Sequence, residues 1–231
     1  MSKKLDRLIS QLRAGGLRLF TTADAAVALG IPLAHASVIL GRAEKEGAVI
    51  RLARGRWARV DSTSPHRYAV ARFLAHPNSM YITGPSAMNH HGILLQVPRQ
   101  LHAAWSAKSR LFKTPLGDFY FHSLPDPGEG EFEIHNTPEG PVRLATPEKA
   151  LVDTARLSAS PRGKASLFPE LDTDSLDQKK IQASLHRIKN PRFRKLVESA
   201  MSGITIRPPV EETNDEIVAA LREFASEAGG W

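Results

Sequence analysis

Ala48-Val49-Ile50-Arg51-Leu52-Ala53-Arg54-Gly55-Arg56-Trp57-Ala58-Arg59-Val60 is the stretch that decides how the chain begins to fold. Ala48 to Leu52 reads as a strand, Ala53-Arg54-Gly55 as a tight turn, and Arg56 to Val60 as the returning strand. Just upstream, Leu33 to Glu46 runs as a helix that Gly47 ends, with Pro32 suited to its first turn. Leu33, Ala36, Leu40 and Ala43 are spaced to face inward. Before that, Ala23 to Leu29 forms a shorter helix, with Thr21 and Thr22 as candidate N-caps and Gly30 as its stop. Leu5, Leu8, Ile9 and Leu12 mark a first helix that Gly15-Gly16 terminate. Three helices, the second and third joined by a very short turn, then a hairpin: residues 1–62 are expected to form a winged helix-turn-helix.

The side chains fit that expectation. A recognition helix presents short polar groups to base edges from its N-terminal part. His35, Ser37 and Arg42 lie off the inward stripe, and Lys45 lies nearer the helix end. The hairpin carries Arg51, Arg54, Arg56 and Arg59, and an Arg-rich loop with glycine at its tip can approach phosphates or enter a minor groove. Charge is polarised in the same sense. The chain of 231 residues carries a net +7, yet residues 1–80 balance to +8, residues 81–156 to −1 and residues 157–231 to zero. A solubility charge would spread, whereas a polarised one is the expected footprint of one nucleic-acid-binding module attached to something else, and for a winged helix the expected partner is double-stranded DNA.

Hydrophobic residues make up 42% and charged residues 24%, the composition of a globular chain. The absence of cysteine excludes disulfides, thiolate metal sites and a cysteine nucleophile. Neither a long apolar run nor a signal-peptide core is present, so a cytoplasmic location without membrane contact is expected.

After a polar linker over 61–66, residues 67–231 read as a second domain. Tyr68 to Ala75 is an amphipathic helix and Met80-Tyr81-Ile82 a short strand. Gly84 to Gly92 is a turn and short helix, Gln100 to Ser106 a strand, and Leu116-Gly117 a turn before the strand Asp118 to Ser123. Val142-Arg143-Leu144 is a further strand. Thr146-Pro147-Glu148 is a strong helix start, with threonine as N-cap, proline at the first position and an acid in the first turn. The fold class expected is therefore α+β: a winged helix followed by a mixed α/β domain. Residues 160–231 are expected to be mostly helical, with Lys179 to Ile188 as a helix, a basic cluster of Arg192, Arg194 and Lys195, and an apolar stripe from Ile217 to Phe224.

Tyr81-Ile82-Thr83-Gly84-Pro85-Ser86-Ala87, His91-Gly92, Val97-Pro98, Thr114-Pro115-Leu116-Gly117 and Ala145-Thr146-Pro147-Glu148-Lys149-Ala150-Leu151-Val152-Asp153 resemble the AbiEi family of antitoxins, which belongs to AbiE-type (type IV) toxin–antitoxin and abortive-infection systems. The resemblance covers about residues 5–160, and the run Ala145 to Asp153 is its most specific part. It implies that the N-terminal domain binds repeats in its own promoter as an autorepressor. It also implies that the second domain counters a nucleotidyltransferase-like toxin without a stable complex. The motif positions are then Gly84, Ser86, His91, Gly92, Thr146, Pro147, Glu148, Lys149 and Asp153. Read as residues alone, Gly84, Gly92 and Gly117 are turns needing positive φ, and Thr146-Pro147 is a cap, so the motif encodes fold as readily as a site.

Catalytic and metal-binding constellations are not expected. His90 and His91 are adjacent and diverge on a helix, unlike a pair four residues apart. Glu131 and Glu133 lie in what reads as a solvated loop, Ser86 lacks a glycine-framed nucleophile elbow, and no phosphate-binding glycine loop is present. Neither an enzyme nor a cofactor is therefore expected. Two alternatives remain open at this point: a winged-helix regulator whose second domain senses a ligand, and a nuclease-like enzyme using Glu148 and Lys149.

Overall fold

The computed structural model describes residues 3–126, 128, 130–159, 171–173, 176–202 and 204. Part of the expected loop over 158–180 and the apolar stripe from Ile217 to Phe224 lie outside the described residues. What is described is a mixed α+β structure, with eight helices and two sheets among those residues.

The first sheet has three strands. β1 (Leu19–Thr21), β2 (Val49–Ala53) and β3 (Arg56–Arg59) run in the order β1-β3-β2, all antiparallel. Gly55, at φ 72°, supplies the turn conformation that a side chain would resist. Around this sheet lie α1 (Lys3–Ala14), α2 (Thr22–Leu29) and α3 (Leu33–Lys45). Of the two candidate caps for α2, Thr21 is the one used. Its Oγ1 accepts from the Asp24 backbone N–H at 3.2 Å, and Asp24 Oδ2 accepts from the Thr21 N–H at 2.7 Å, which closes a capping box. Thr22 instead takes a hydrogen bond from the indole N–H of Trp57 at 2.9 Å, pinning the hairpin to the start of α2. Leu5, Leu8, Leu12, Phe20, Leu40, Val49 and Trp57 fill the small core beneath these helices. Leu33 departs from the expected inward stripe and is 57% exposed, because the first turn of α3 projects toward the hairpin tip rather than toward α1 and α2.

The second sheet has six strands in the order β6-β7-β5-β4-β9-β8: β4 (Met80–Ile82), β5 (Leu101–Trp105), β6 (Arg110–Thr114), β7 (Gly117–Ser123), β8 (Phe132–Thr137) and β9 (Gly140–Ala145). Pairings β5–β7 and β4–β9 are parallel and the others antiparallel. α4 (Arg67–Ala75) packs on β4, β5 and β9. α5 (Gly84–His90) and α6 (Pro147–Ser158) pack together, with α7 (Gln178–His186) and α8 (Pro191–Met201) against α6. Arg194 of the basic cluster turns inward, donating to the carbonyls of His186 and Ile188 and so closing the C-terminus of α7.

Three strands were not expected from the sequence: β1, β6 and β8. β6 and β8 are the edges of the six-stranded sheet, and of their residues only Phe112 is buried, so neither carries the apolar alternation of a strand with one face in the core. The solvated-loop reading of the acidic segment is accordingly corrected at Glu131. This residue is 9% exposed, and its Oε2 accepts from the Gly128 N–H and from Arg187 Nη1, both at 3.0 Å.

The expected linker also proves structured. Asp61 pairs with Arg59, Arg18 and Arg13, and His66 Nδ1 caps α4 by accepting from the Tyr68 N–H at 3.2 Å. Arg18 reaches across to Glu139 in the β8–β9 turn at 2.9 Å. The three-stranded sheet is thus covered on both faces. Phe20, Val49 and Trp57 point to the small core, while Leu52 and Ala58 belong to the large core around the second sheet, with Leu19, Ile50 and Ala53 packed against it.

Candidate nucleic-acid interface

α2 and α3 meet at an angle of 105°, inside the interval of about 90–120° between the two helices of a helix-turn-helix pair. Gly30, at φ 64°, makes this sharp junction possible by taking the left-handed C-cap. Between the N-terminal turns of α3 and the hairpin tip lies an open cleft of about 520 Å³. Thr22, Leu33, Ala34, Ser37, Arg51 and Arg54 contribute to its walls.

The structure sorts the eight expected DNA-contact residues into two groups. His35, Ser37, Arg42 and Lys45 are exposed on α3, and Arg51 and Arg54 are exposed on the hairpin. Arg51 spans the indole of Trp57 at 4.6 Å and pairs with Glu44 at 3.3 Å, so its guanidinium is held over the cleft wall rather than free to wander. Arg56 and Arg59 belong elsewhere, which corrects their assignment to the outer surface of the hairpin. Arg59 is 8% exposed and grips Asp61 with two nitrogens at 2.8–3.0 Å. Arg56 turns back and donates to the carbonyls of Phe73 and His76 at the end of α4. Arg56 thus docks the hairpin onto α4, and Arg59 fixes the chain as it leaves the hairpin.

The motif residues beyond the linker converge on a different place. Asp153 is fully buried, and its carboxylate accepts from Tyr81 Oη at 2.9 Å, Thr83 Oγ1 at 2.8 Å, Lys149 Nζ at 2.8 Å and Arg156 Nη1 at 3.3 Å. Burial, followed by the charge and hydrogen bond of Asp153, pushes the Tyr81 phenol far above its ordinary range, so it remains a donor. Glu148 is 4% exposed and parts company with Lys149: its Oε1 accepts from the Asp177 N–H at 3.2 Å, next to the cap of α7. Thr146 accepts from the Lys149 N–H as the N-cap of α6, with Pro147 in the first turn. Ser86 Oγ accepts from the His102 N–H at 2.8 Å, and the His91 Nε2–H donates to the Ala145 carbonyl at 2.8 Å. Gly84 and Gly92 take φ of 58° and 76°. Asp153, Glu148, Ser86 and His91 thus join one element to another, while Thr146, Pro147 and the two glycines shape a helix start and turns. Sequence reasoning singled out Lys149 and Asp153 but missed Tyr81, Thr83 and Arg156. The signal was present, since Tyr81 and Thr83 share one strand face and Lys149 and Arg156 lie four and three residues from Asp153 on α6.

A buried histidine, His122, and a half-buried one, His102, lie side by side in the second sheet. His102 Nδ1 and His122 Nε2 are 2.9 Å apart, with the rings stacked at 5.2 Å. Burial lowers His102 to about 4; burial, then the charge of His102, lowers His122 to about 3. One neutral ring donates to the other, and neither carries charge at neutral pH. Among the described residues no group of three or more His, Cys, Asp or Glu is arranged to hold a metal ion, and no single helix is long and apolar enough to cross a membrane.

No protein-family model and no curated protein matches the chain. Among solved structures, the crystal structure of the RV2827C protein from Mycobacterium tuberculosis is similar in fold, with a TM-score of 0.58 at 16% identity. The likeness covers 87% of this chain and 78% of that one, so it extends through both sheets rather than through either alone.

Proposed function

We propose that residues 1–62 are a winged helix-turn-helix that binds double-stranded DNA, with α3 as recognition helix and the β2–β3 hairpin as wing. The observation that carries this reading is the cleft between the two. Its walls offer a hydroxyl from Ser37, apolar contact from Leu33 and Ala34, and guanidinium groups from Arg51 and Arg54. Base edges require the first two kinds of group, and phosphates require the third. The net charge of +8 over residues 1–80 supports the same partner.

The wider role that we infer is that of an AbiEi-like antitoxin. The chain would repress its own promoter through the winged helix, and its second domain would counter a nucleotidyltransferase-like toxin. The motif residues support this only through their resemblance, because in the structure they serve the packing of the second domain. Co-expression with a nucleotidyltransferase-like toxin is the direct test, and failure to rescue growth sinks the antitoxin role while leaving DNA binding standing.

DNA binding makes its own prediction. Titration of labelled promoter DNA over a range of salt concentrations should show Arg51→Ala with Arg54→Ala weakening every sequence alike. The slope of log K against log salt should fall by about 0.9 for each phosphate that is no longer neutralised. Ser37→Ala or His35→Ala should change the ranking of sequences instead, by about 1–3 kcal/mol per base pair. Arg56→Ala should leave the salt slope alone. If Arg51 and Arg54 can be removed without any change in slope, the wing does not touch DNA.

A further inference from the structure

The near-neutral second domain contributes basic groups beside the wing that the charge count over long segments conceals. β2, the edge of the small sheet, packs against β6, the edge of the large one. Phe112 of β6 belongs to the same core as Leu52 and Ala58 of the hairpin, so the two edges are fixed relative to each other. Arg110 opens β6, and Lys108 lies two residues before it; both are exposed. The Arg110 guanidinium carbon lies over the Phe112 ring at 4.4 Å, a stacking that holds the group in place without using its in-plane N–H donors.

Arg110 is also close to the hairpin. Burial, and then the charge of Arg110, hold the Arg56 guanidinium below its ordinary range. Two like charges have been brought together, and among the described residues no carboxylate lies within 4.0 Å of Arg110, Lys108 or Arg56 to offset them. Arg56 is already spent on backbone carbonyls, whereas Arg110 and Lys108 keep their donors for something anionic. Lys113, farther along β6, is a weaker candidate because it stands opposite Asp118 in the strand register.

We propose that Arg110 and Lys108 form a second phosphate-binding patch for the same duplex, extending the track from Arg54 at the wing tip onto the edge of the large sheet. The inference rests on the DNA reading above, but it adds a patch from outside the helix-turn-helix. It requires a duplex that runs past the cleft, along the hairpin and over β6. A polyanion of that length meets both surfaces at once, and counterion release from each adds to the affinity.

The test uses the full chain and labelled promoter duplex at several salt concentrations. The double variant Arg110→Gln with Lys108→Gln keeps both stems and removes both charges. Its salt slope should fall by about 1.8 and its affinity by about tenfold at low salt. Arg110→Lys should recover part of the slope. A duplex shortened to the α3 cleft should bind parent and double variant equally. A control that removes the same charge elsewhere, Lys179→Gln with Lys180→Gln on α7, should leave the slope unchanged. If the double variant keeps the parent slope while Arg54→Ala still lowers it, the second patch is overturned and the winged helix stands. If the α7 control lowers the slope equally, the effect is one of general charge and the proposal fails. If the parent chain shows no salt-dependent affinity for any duplex, the DNA reading falls, and this inference with it.

Discussion

Replacing Asp153 with alanine should lower the unfolding free energy by about 3–5 kcal/mol, the usual loss when one partner of a buried ion pair is removed. The carboxylate is fully buried and serves four donors on two elements: Tyr81 and Thr83 from β4 and its C-terminal flank, and Lys149 and Arg156 from α6. Without it, the Lys149 ammonium, itself 5% exposed, is left buried with no counter-charge. Asparagine should cost less, because it keeps the volume and one acceptor. Changing Lys149→Met together with Asp153→Leu should recover the part of the loss owed to the stranded ammonium, while Arg156, Tyr81 and Thr83 still lack their acceptor. Urea unfolding of the three variants measures this. A loss below about 1 kcal/mol for Asp153→Ala would mean that the network is not what joins α6 to the sheet.

Acid should destabilise the chain on a similar scale. His102 and His122 are held neutral in the fold, at about 4 and about 3, whereas an unfolded histidine titrates near 6.5. Both folded values lie below the unfolded one, so the unfolded chain takes up protons first. The stabilisation is complete above about pH 6.5 and is lost as the pH falls toward 4. Between pH 7 and pH 5 the pair should forfeit on the order of 3–4 kcal/mol. His66 and His90 add to the trend, since burial, then the charge of His135, lower both. Protonated His66 also surrenders the acceptor that caps α4. Urea midpoints at pH 7.5 and pH 5 should therefore differ widely, and His102→Phe with His122→Leu should flatten the dependence. A parent protein equally stable at both pH values would show that the pair is not kept neutral.

Much of this architecture is written in local chemistry. Gly55 sets the hairpin turn, Gly30 the break between α2 and α3, and Thr146-Pro147 the start of α6. β1 is harder to read, because its three residues gain strand character only from pairing with β3 far along the chain. β6 and β8 escape because, as sheet edges, they bury only Phe112 between them and so show no apolar alternation. The fates of Arg56 and Arg59 could not be inferred from composition, since a hairpin arginine looks the same whether it faces DNA or a neighbouring helix. One clue was available. Val49-Ile50-Arg51-Leu52-Ala53 is apolar on both strand faces, which indicates a strand covered from two sides rather than a free wing.

That two-sided cover changes what the boundary near residues 61–66 means. A fragment ending there would expose Leu52 and Ala58, with Leu19, Ile50 and Ala53 around them, an apolar face that the rest of the chain normally occupies. Such a fragment should self-associate, as light scattering or sedimentation would show, unless those positions are made polar. The consequence reaches beyond one truncation. On the proposed DNA-binding role, a specificity swap by recombination would have to exchange α3 and the hairpin tip while leaving Ile50, Leu52 and Ala58 in place against the large core. The unit that can be inherited separately is thus smaller than the one the chain's punctuation marks out.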